Sequence, residues 1–244
     1  MRIGSGSHTY QFIDHWADIP DTESSRTGWA HHGVVVTDND EVIAFHPGDP
    51  EMLVFDLNGN LLRSWTTDLK DAHGMALAKD ESGQYLWTSD PGAKRVPELN
   101  YEYQEADGPR EGQVVKWSLD GDDVLRLERP DLAAYNDGDY SPTSVTVFEE
   151  ARGGNGDIWS SDGYGQSLIH RYDKSGNYIS TIDGAEATAD ASTAPTACGS
   201  TTASQKQNST SPTAPTHRSK STTSMATGSA HSARTGSPRP VHLR

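Results

Sequence analysis

Two histidines stand in the same short sequence, His-Gly, directly ahead of an apolar run. His73 precedes Gly74, and His32 precedes Gly33. Neutral imidazole is a common zinc ligand, and two imidazoles at equivalent places in neighbouring units can share one metal ion. The alternative is that His-Gly only shapes the entry into a strand. His32 is the weaker candidate, because adjacent His31 and His32 cannot both point to the same side of a strand.

Tyr164 is the third candidate for chemistry. It lies in the run Ser161-Asp162-Gly163-Tyr164-Gly165, which follows an apolar stretch. A phenol beside a metal ion loses its proton more easily and can then act as a general base. The alternative is that Asp162 and Gly163 build a loop after a strand and that Tyr164 packs on it.

All three candidates lie in a segment that repeats three times. Each repeat predicts four short strands of four to six residues, rich in β-branched and aromatic side chains. In the order first, second and third repeat, strand one is Val34–Thr37, Met75–Ala78 and Val145–Phe148, strand two is Val42–Phe45, Tyr85–Ser89 and Ile158–Ser161, strand three is Met52–Phe55, Val114–Trp117 and Leu168–Tyr172, and strand four is Leu61–Trp65, Val124–Leu127 and Tyr178–Ile182.

The turn between strands three and four has the clearest local pattern. Its glycine is Gly59, Gly121 or Gly176, preceded by Asn, Asp or Ser. Such pairs supply the positive φ angles that tight hairpins need. No long apolar period of 3.6 residues is present, which predicts few helices. Four-stranded units at this period predict an all-β chain folded as an incomplete β-propeller.

Two insertions lengthen the repeat. Residues 91–111 separate strands two and three of the second repeat, and residues 128–140 separate the second repeat from the third. The first insertion contains three prolines and many charges without strand-like alternation, which predicts a mobile surface loop.

The composition changes abruptly near Gly184. All 19 aromatic residues precede it, and the 61 residues from 184 to 244 contain 23 Ser or Thr. We therefore predict an N-terminal segment at 1–30, a partial propeller at 31–183 and a disordered tail at 184–244. Shifting the tail's reading frame by two bases permits a Pro-His-Gly, a strand and an Asp-Gly-Asn hairpin in the order of the repeats. This indicates an out-of-frame translation of a further blade, and a natural disordered linker is the alternative.

Charge and composition exclude several classes. Residues 1–183 hold 14 of the 20 basic and 33 of the 35 acidic side chains, a net charge of −19, which excludes the basic footprint of nucleic-acid binding. The single cysteine, Cys198, excludes an intrachain disulfide. We find no apolar run long enough for a membrane helix and no signal peptide, so the expected location is the cytoplasm, away from membranes.

The repeats resemble NHL repeats, and those from Gly33 to Ile182 are similar to the six-bladed propeller of peptidyl-α-hydroxyglycine α-amidating lyases. The similarity lies in Ala72-His73-Gly74, in YLWTSD ending at Asp90 and in the Ser161–Tyr164 run. It implies that His73 is one of three zinc-binding histidines, that Tyr164 acts on the substrate hydroxyl, and that structural calcium accompanies the zinc. The family's arginine is missing, because Pro47 stands in its place.

We therefore expect a truncated propeller related to these metal-dependent C–N lyases, inactive in this form, with His73 and His32 as metal ligands and Tyr164 as catalytic base. The alternative is a non-enzymatic propeller that binds a peptide, a protein or a small molecule on one face. A truncated product without function is the third interpretation. Open edges of an incomplete propeller also predict oligomers or aggregates.

Overall fold

The computed structural model describes residues 1–22, 25–26, 32–46, 49, 51–97, 103–106 and 110–183. The predictions for the tail at 184–244, and the positions His31 and Pro47, lie outside the described residues. The N-terminal segment contains a hairpin of β1 (Arg2–Ser5) and β2 (His8–Gln11).

Three antiparallel sheets of four strands follow, one for each sequence repeat. All twelve strands were predicted, and their ends agree with the prediction to within two residues. The first sheet contains β3 (Val34–Val36), β4 (Val42–His46), β5 (Glu51–Phe55) and β6 (Leu61–Thr66), the second contains β7 (Gly74–Asp80), β8 (Gly83–Asp90), β11 (Gln113–Trp117) and β12 (Asp123–Leu127), and the third contains β13 (Ser144–Val147), β14 (Ile158–Asp162), β15 (Leu168–Tyr172) and β16 (Tyr178–Ile182). The predicted fold class, an all-β incomplete propeller, is confirmed.

The hairpins between strands three and four form as the turn glycines predict. Gly59, Gly121 and Gly176 have φ angles of 86°, 99° and 86°. In each hairpin the strand register shifts at the last residue of strand three, so the positive-φ glycine accompanies a β-bulge. The Asn, Asp or Ser before each glycine has a negative φ. Only the glycine adopts a positive φ, a conformation that glycine tolerates better than other residues.

Apolar side chains fill the interfaces, or joints, between neighbouring sheets. Every second residue of a strand points to the same side, so each sheet turns one set of side chains to the sheet before it and another to the sheet after it. Ile43 and Phe45 of the first sheet pack with Leu86 and Trp117 of the second. A separate cluster joins the second sheet to the third, with these buried members: Ala78, Trp87, Val114, Leu127, Val145, Ile158 and Tyr172. Each large side chain buried in this way contributes about 1.5–3 kcal/mol.

The first insertion contains two paired antiparallel strands, β9 (Lys94–Pro97) and β10 (Tyr103–Ala106). The sequence shows no strand-like alternation here, and the strands pair nonetheless, because a two-stranded ladder needs only backbone donors and acceptors. The mobility of this insertion stays a prediction.

The second insertion is ordered by packing on the third sheet. A 3-10 turn at Ala133–Tyr135 brings Tyr135 and Tyr140 against Leu168. A second 3-10 turn, Glu150–Arg152, follows β13. Within the part of the chain that the structure describes, no helix has the length and apolar character to cross a membrane.

Candidate functional site

His73 and Tyr164 are in direct contact, although they are 91 residues apart in sequence. The Tyr164 hydroxyl lies 2.9 Å from His73 Nε2, and the two rings meet edge to face with centroids 5.0 Å apart at 86°. The side chain directly before β7 of the second sheet therefore meets the loop after β14 of the third sheet. Two of the three candidates from the sequence occupy one site.

The backbone carbonyl of Thr143 determines which nitrogen of His73 carries the proton. His73 Nδ1 lies 2.8 Å from this oxygen. A carbonyl oxygen can only accept, so Nδ1–H is the donor in this hydrogen bond. In the neutral ring Nε2 is then an acceptor, and the Tyr164 hydroxyl donates its proton to it. The site therefore contains a phenol O–H directed at a basic imidazole nitrogen.

Gly74 allows His73 to approach the third sheet. A Cβ atom at this position would lie 2.4 Å from Ser89 Oγ and 2.8 Å from Ser144 Cα, inside contact distance. Gly74 N–H also donates to Ser89 Oγ over 3.1 Å. The glycine of the His-Gly pair thus shapes the strand entry, while the histidine binds Tyr164.

Asp162 organises the loop that presents Tyr164. Its buried carboxylate accepts from Ser141 N–H at 2.6 Å, from Gln166 N–H at 2.7 Å and from the Tyr135 hydroxyl at 2.8 Å. Gly165 is required beside it, since a Cβ there would lie 2.2 Å from the carboxylate. Tyr164 itself is 52% exposed, so its side chain stands on the surface of a firmly held loop.

A chain of hydrogen bonds extends from Asp162 into the third sheet. Because the Tyr135 hydroxyl donates to Asp162, His170 Nε2–H donates to Tyr135, over 2.6 Å. His170 Nδ1 then accepts from the Thr181 hydroxyl, over 2.9 Å. Burial lowers the pKa of His170 to about 4, only partly opposed by the charge of Asp162. Burial, followed by the charge of Asp162, raises the pKa of Tyr135. His170 is therefore neutral near pH 7.

The sequence reasoning missed this network. One available signal was His170 itself, which stands between Leu168 and Tyr172 at an inward-facing position of a short strand. A polar side chain at such a position requires hydrogen-bonding partners. The partners could not be identified in advance, because Tyr135 comes from an insertion without a repeat pattern.

Asp90 occupies the place of Asp162 in the second sheet and has a comparable function. It is buried and accepts from the backbone N–H groups of Lys70, Asp71 and Gly92. Arg110 Nη2 lies 2.8 Å from its carboxylate. An aspartate that ends strand two thus anchors the neighbouring loop in both sheets. Asp162 is therefore a positioning residue for Tyr164.

His32 lies at the entry to β3, where His73 lies at the entry to β7. Its ring meets Phe45 edge-on, with centroids 6.1 Å apart. Gly33 N–H donates to Ala72 O over 3.3 Å, so this entry also contacts the next sheet. No group of three His, Cys, Asp or Glu side chains arranged for a metal ion is present among the described residues. A shared metal between His32 and His73 stays a prediction.

The orientation of the His73 ring is that of a typical zinc ligand. Metal-binding histidines usually donate one ring N–H to a carbonyl or carboxylate and bind the metal through the other nitrogen. The bond from Nδ1 to Thr143 leaves Nε2 for that purpose. The Tyr164 hydroxyl now uses the same nitrogen, so zinc binding has to break this hydrogen bond. The further ligands of a zinc site, and the calcium, are not identified among the described residues.

The known proteins found by comparison resemble this chain weakly, in structure and not in sequence. No family model matches the chain, and no curated protein sequence does. A solved streptogramin B lyase is 13% identical, with a TM-score of 0.31, over 61% of this chain and 53% of its own. A catalytically inactive virginiamycin B lyase from Staphylococcus aureus, solved with quinupristin, is 16% identical, also with a TM-score of 0.31, over 61% of this chain and 54% of its own. The chain spans about half the length of these two proteins. Likeness at this level carries no argument about the chemistry of this chain.

Proposed function

We propose that the chain is a partial propeller of the amidating-lyase type that retains two elements of the site, His73 and Tyr164, and does not turn over substrate. The observation that carries this proposal is the 2.9 Å hydrogen bond between the two side chains. The family resemblance assigns both residues to one reaction, and their side chains meet at the joint between the second and third sheets.

The two residues supply the proton-accepting part of such a reaction. Cleavage of an α-hydroxyglycine removes the proton of its hydroxyl group, breaks the C–N bond and returns a proton to the leaving nitrogen, which gives an amide and a carbonyl product. Without a metal ion, the Tyr164 oxygen becomes a better proton acceptor as its own proton moves towards His73 Nε2. A zinc ion on His73 Nε2 would replace this hydrogen bond, and it would supply Lewis-acid polarisation of the substrate oxygen and favour the ionised form of a nearby phenol.

Turnover is not expected from this chain. The resemblance requires a permanent cation at the place of Pro47, and proline cannot supply one. Electrostatic groups of this kind commonly contribute about 100-fold or more to the rate of an enzyme. The nearby His46 ends β4 and is a weaker cation than arginine near neutral pH.

Zinc titration of the metal-free protein tests the proposal. We expect zinc to bind through His73, and His73→Ala to weaken this binding at least about tenfold. His15→Ala is the matched control, because His15 is exposed in the N-terminal segment with 85% of its side chain accessible. Calorimetry gives the affinities, and an assay with a peptidyl-α-hydroxyglycine should show no product. Equal zinc affinity of the two variants and the wild type, or turnover that depends on His73, would contradict the proposal.

A peptide-binding propeller is the second candidate. The observation in its favour is that Tyr164 is 52% exposed although its hydroxyl is hydrogen-bonded. Exposed tyrosines are common anchors at protein interfaces. Failure to bind zinc through His73, together with a peptide affinity that falls on Tyr164→Ala, would select this function over the first.

A further inference from the structure

The third sheet has an apolar face that no other described sheet covers. Strand two ends at Asp90 in the second sheet and at Asp162 in the third, which makes Trp159 the equivalent of Trp87 and, in strand three, Ile169 the equivalent of Val114. Trp87 and Val114 are buried in the joint with the third sheet, at 3% and 0% exposure. Ile169 is only partly buried. Phe148 and Ile182 of the same sheet are 36% and 45% exposed.

The first sheet has the opposite face open. Val34 and Val36 of β3 are 63% and 55% exposed. Their equivalents in the third sheet are Val145 and Val147, and Val145 is only 4% exposed because the second sheet covers it. The N-terminal segment covers the strand-three side of this same face, where Trp16 packs against Phe55, the cross-strand partner of Val42, and donates to Leu57 O. The strand-one side of the face stays exposed.

The two open faces carry the same residue types as the two sides of the joint between the second and third sheets. In the joint between the second and third sheets, Trp87 and Val114 meet Val145 and Ile158. The third sheet offers Trp159 and Ile169 in place of the first pair, and the first sheet offers Val34 and Val42 in place of the second pair.

Charge at the rim follows the same pattern. Lys116 of the second sheet is paired with Asp80 and lines a cleft together with Glu150, from the acidic turn after β13. Arg171 is the equivalent of Lys116 in the third sheet and is likewise paired within its own sheet, to Asp157. The turn after β3 of the first sheet is acidic and exposed, with Asp40 and with Asp38, which is ion-paired to Lys79 of the second sheet. Most of these charged groups have partners within the chain, so the two open faces match in their apolar residues.

We propose that a second copy of this chain covers the exposed parts of both faces, with the strand-one side of the first sheet of each copy on the third sheet of the other. Two copies then form a closed ring of six four-stranded sheets, within the range of four to eight blades of known propellers. The contact is heterologous, and the two-fold symmetry of the ring closes it. Residues 184–244 have no aromatic residue, whereas every sheet contains several, so their composition does not suit a covering blade. This inference is independent of the proposed function.

Mixing of two disrupted variants tests the ring. The wild type is expected to have twice the chain mass of 26.4 kDa by sedimentation equilibrium. Val34→Asp damages one face and Ile169→Asp damages the other, and each variant alone should be a monomer. A mixture of the two retains one intact joint, between the third sheet of the Val34→Asp chain and the first sheet of the Ile169→Asp chain. The mixture should therefore recover a two-chain species with weaker affinity than the wild type.

Val124→Asp is the matched control, because Val124 is 47% exposed on β12 and lies on neither face. It should stay dimeric, and circular dichroism should show all variants folded. If either face variant fails to fold, Val36→Asp and Ile182→Asp replace the pair. A monomeric wild type, a dimer that survives both face variants, a mixture that stays monomeric, or open polymers without a mass limit would each overturn the closed ring.

Discussion

Replacing Asp162 with alanine is expected to lower the free energy of unfolding by about 4 kcal/mol and to separate Tyr164 from His73. The carboxylate is buried and satisfies three donors: the N–H groups of Ser141 and Gln166, and the Tyr135 hydroxyl. Each buried donor left without an acceptor costs about 1–3 kcal/mol. The loop that carries Tyr164 then loses the carboxylate that binds the N–H groups of Ser141 and Gln166. Urea unfolding measures the stability.

Asp137→Ala is the control for this substitution, since Asp137 is exposed in the insertion between the second and third sheets. It should change the stability by less than about 0.5 kcal/mol. Loss of zinc binding through His73 is not expected in Asp162→Ala, because Thr143 still orients the imidazole. A stability of Asp162→Ala equal to that of the control would contradict the assigned function of Asp162 as the anchor of this loop.

Gly74→Val is expected to destabilise the fold by about 3 kcal/mol and to displace His73 from Thr143. The new Cβ would lie 2.7 Å from Thr143 O and 2.8 Å from Ser144 Cα, both backbone atoms of the third sheet. These atoms cannot move without opening the joint, and overpacking of this kind costs about 1–3 kcal/mol. Thermal and urea unfolding measure the loss.

Thr66→Val is the matched control for the β-branched side chain, because Thr66 is exposed at the end of β6. It should retain the wild-type stability. Gly74→Ala should fall between the wild type and Gly74→Val, since it adds only the first methyl group. Wild-type stability of Gly74→Val would show that the second and third sheets do not approach each other as closely as described.

Most of the fold could be predicted from sequence because its information is local. Twelve strands alternate or are β-branched, and Gly59, Gly121 and Gly176 mark the hairpins. The pairing of β9 with β10 could not be predicted in this way, since its ladder joins backbone groups in a segment whose sequence shows no alternation. Repeats show which strands are equivalent, but they do not show which pairs form outside the repeat.

The site was predictable in part for a related reason. His73 and Tyr164 each stand next to a glycine at one end of a strand, and the family resemblance of these two motifs selected both residues as candidates. Their contact depends on how two sheets meet, which no local pattern records. The anchors Tyr135 and Arg110 lie in or beside the insertions, and their partners, Asp162 and Asp90, are fixed only by tertiary packing.

Nitrogen NMR of the His73 imidazole tests the central claim most directly, because it reports the proton on each ring nitrogen. We expect a neutral ring protonated at Nδ1, with an Nε2 signal that shifts when Tyr164 is replaced by phenylalanine and again when zinc is added. The Nδ1 proton should persist in both cases, since Thr143 O holds it. A ring protonated at Nε2, or an Nε2 signal indifferent to both Tyr164→Phe and zinc, would contradict the claim that His73 and Tyr164 form one site.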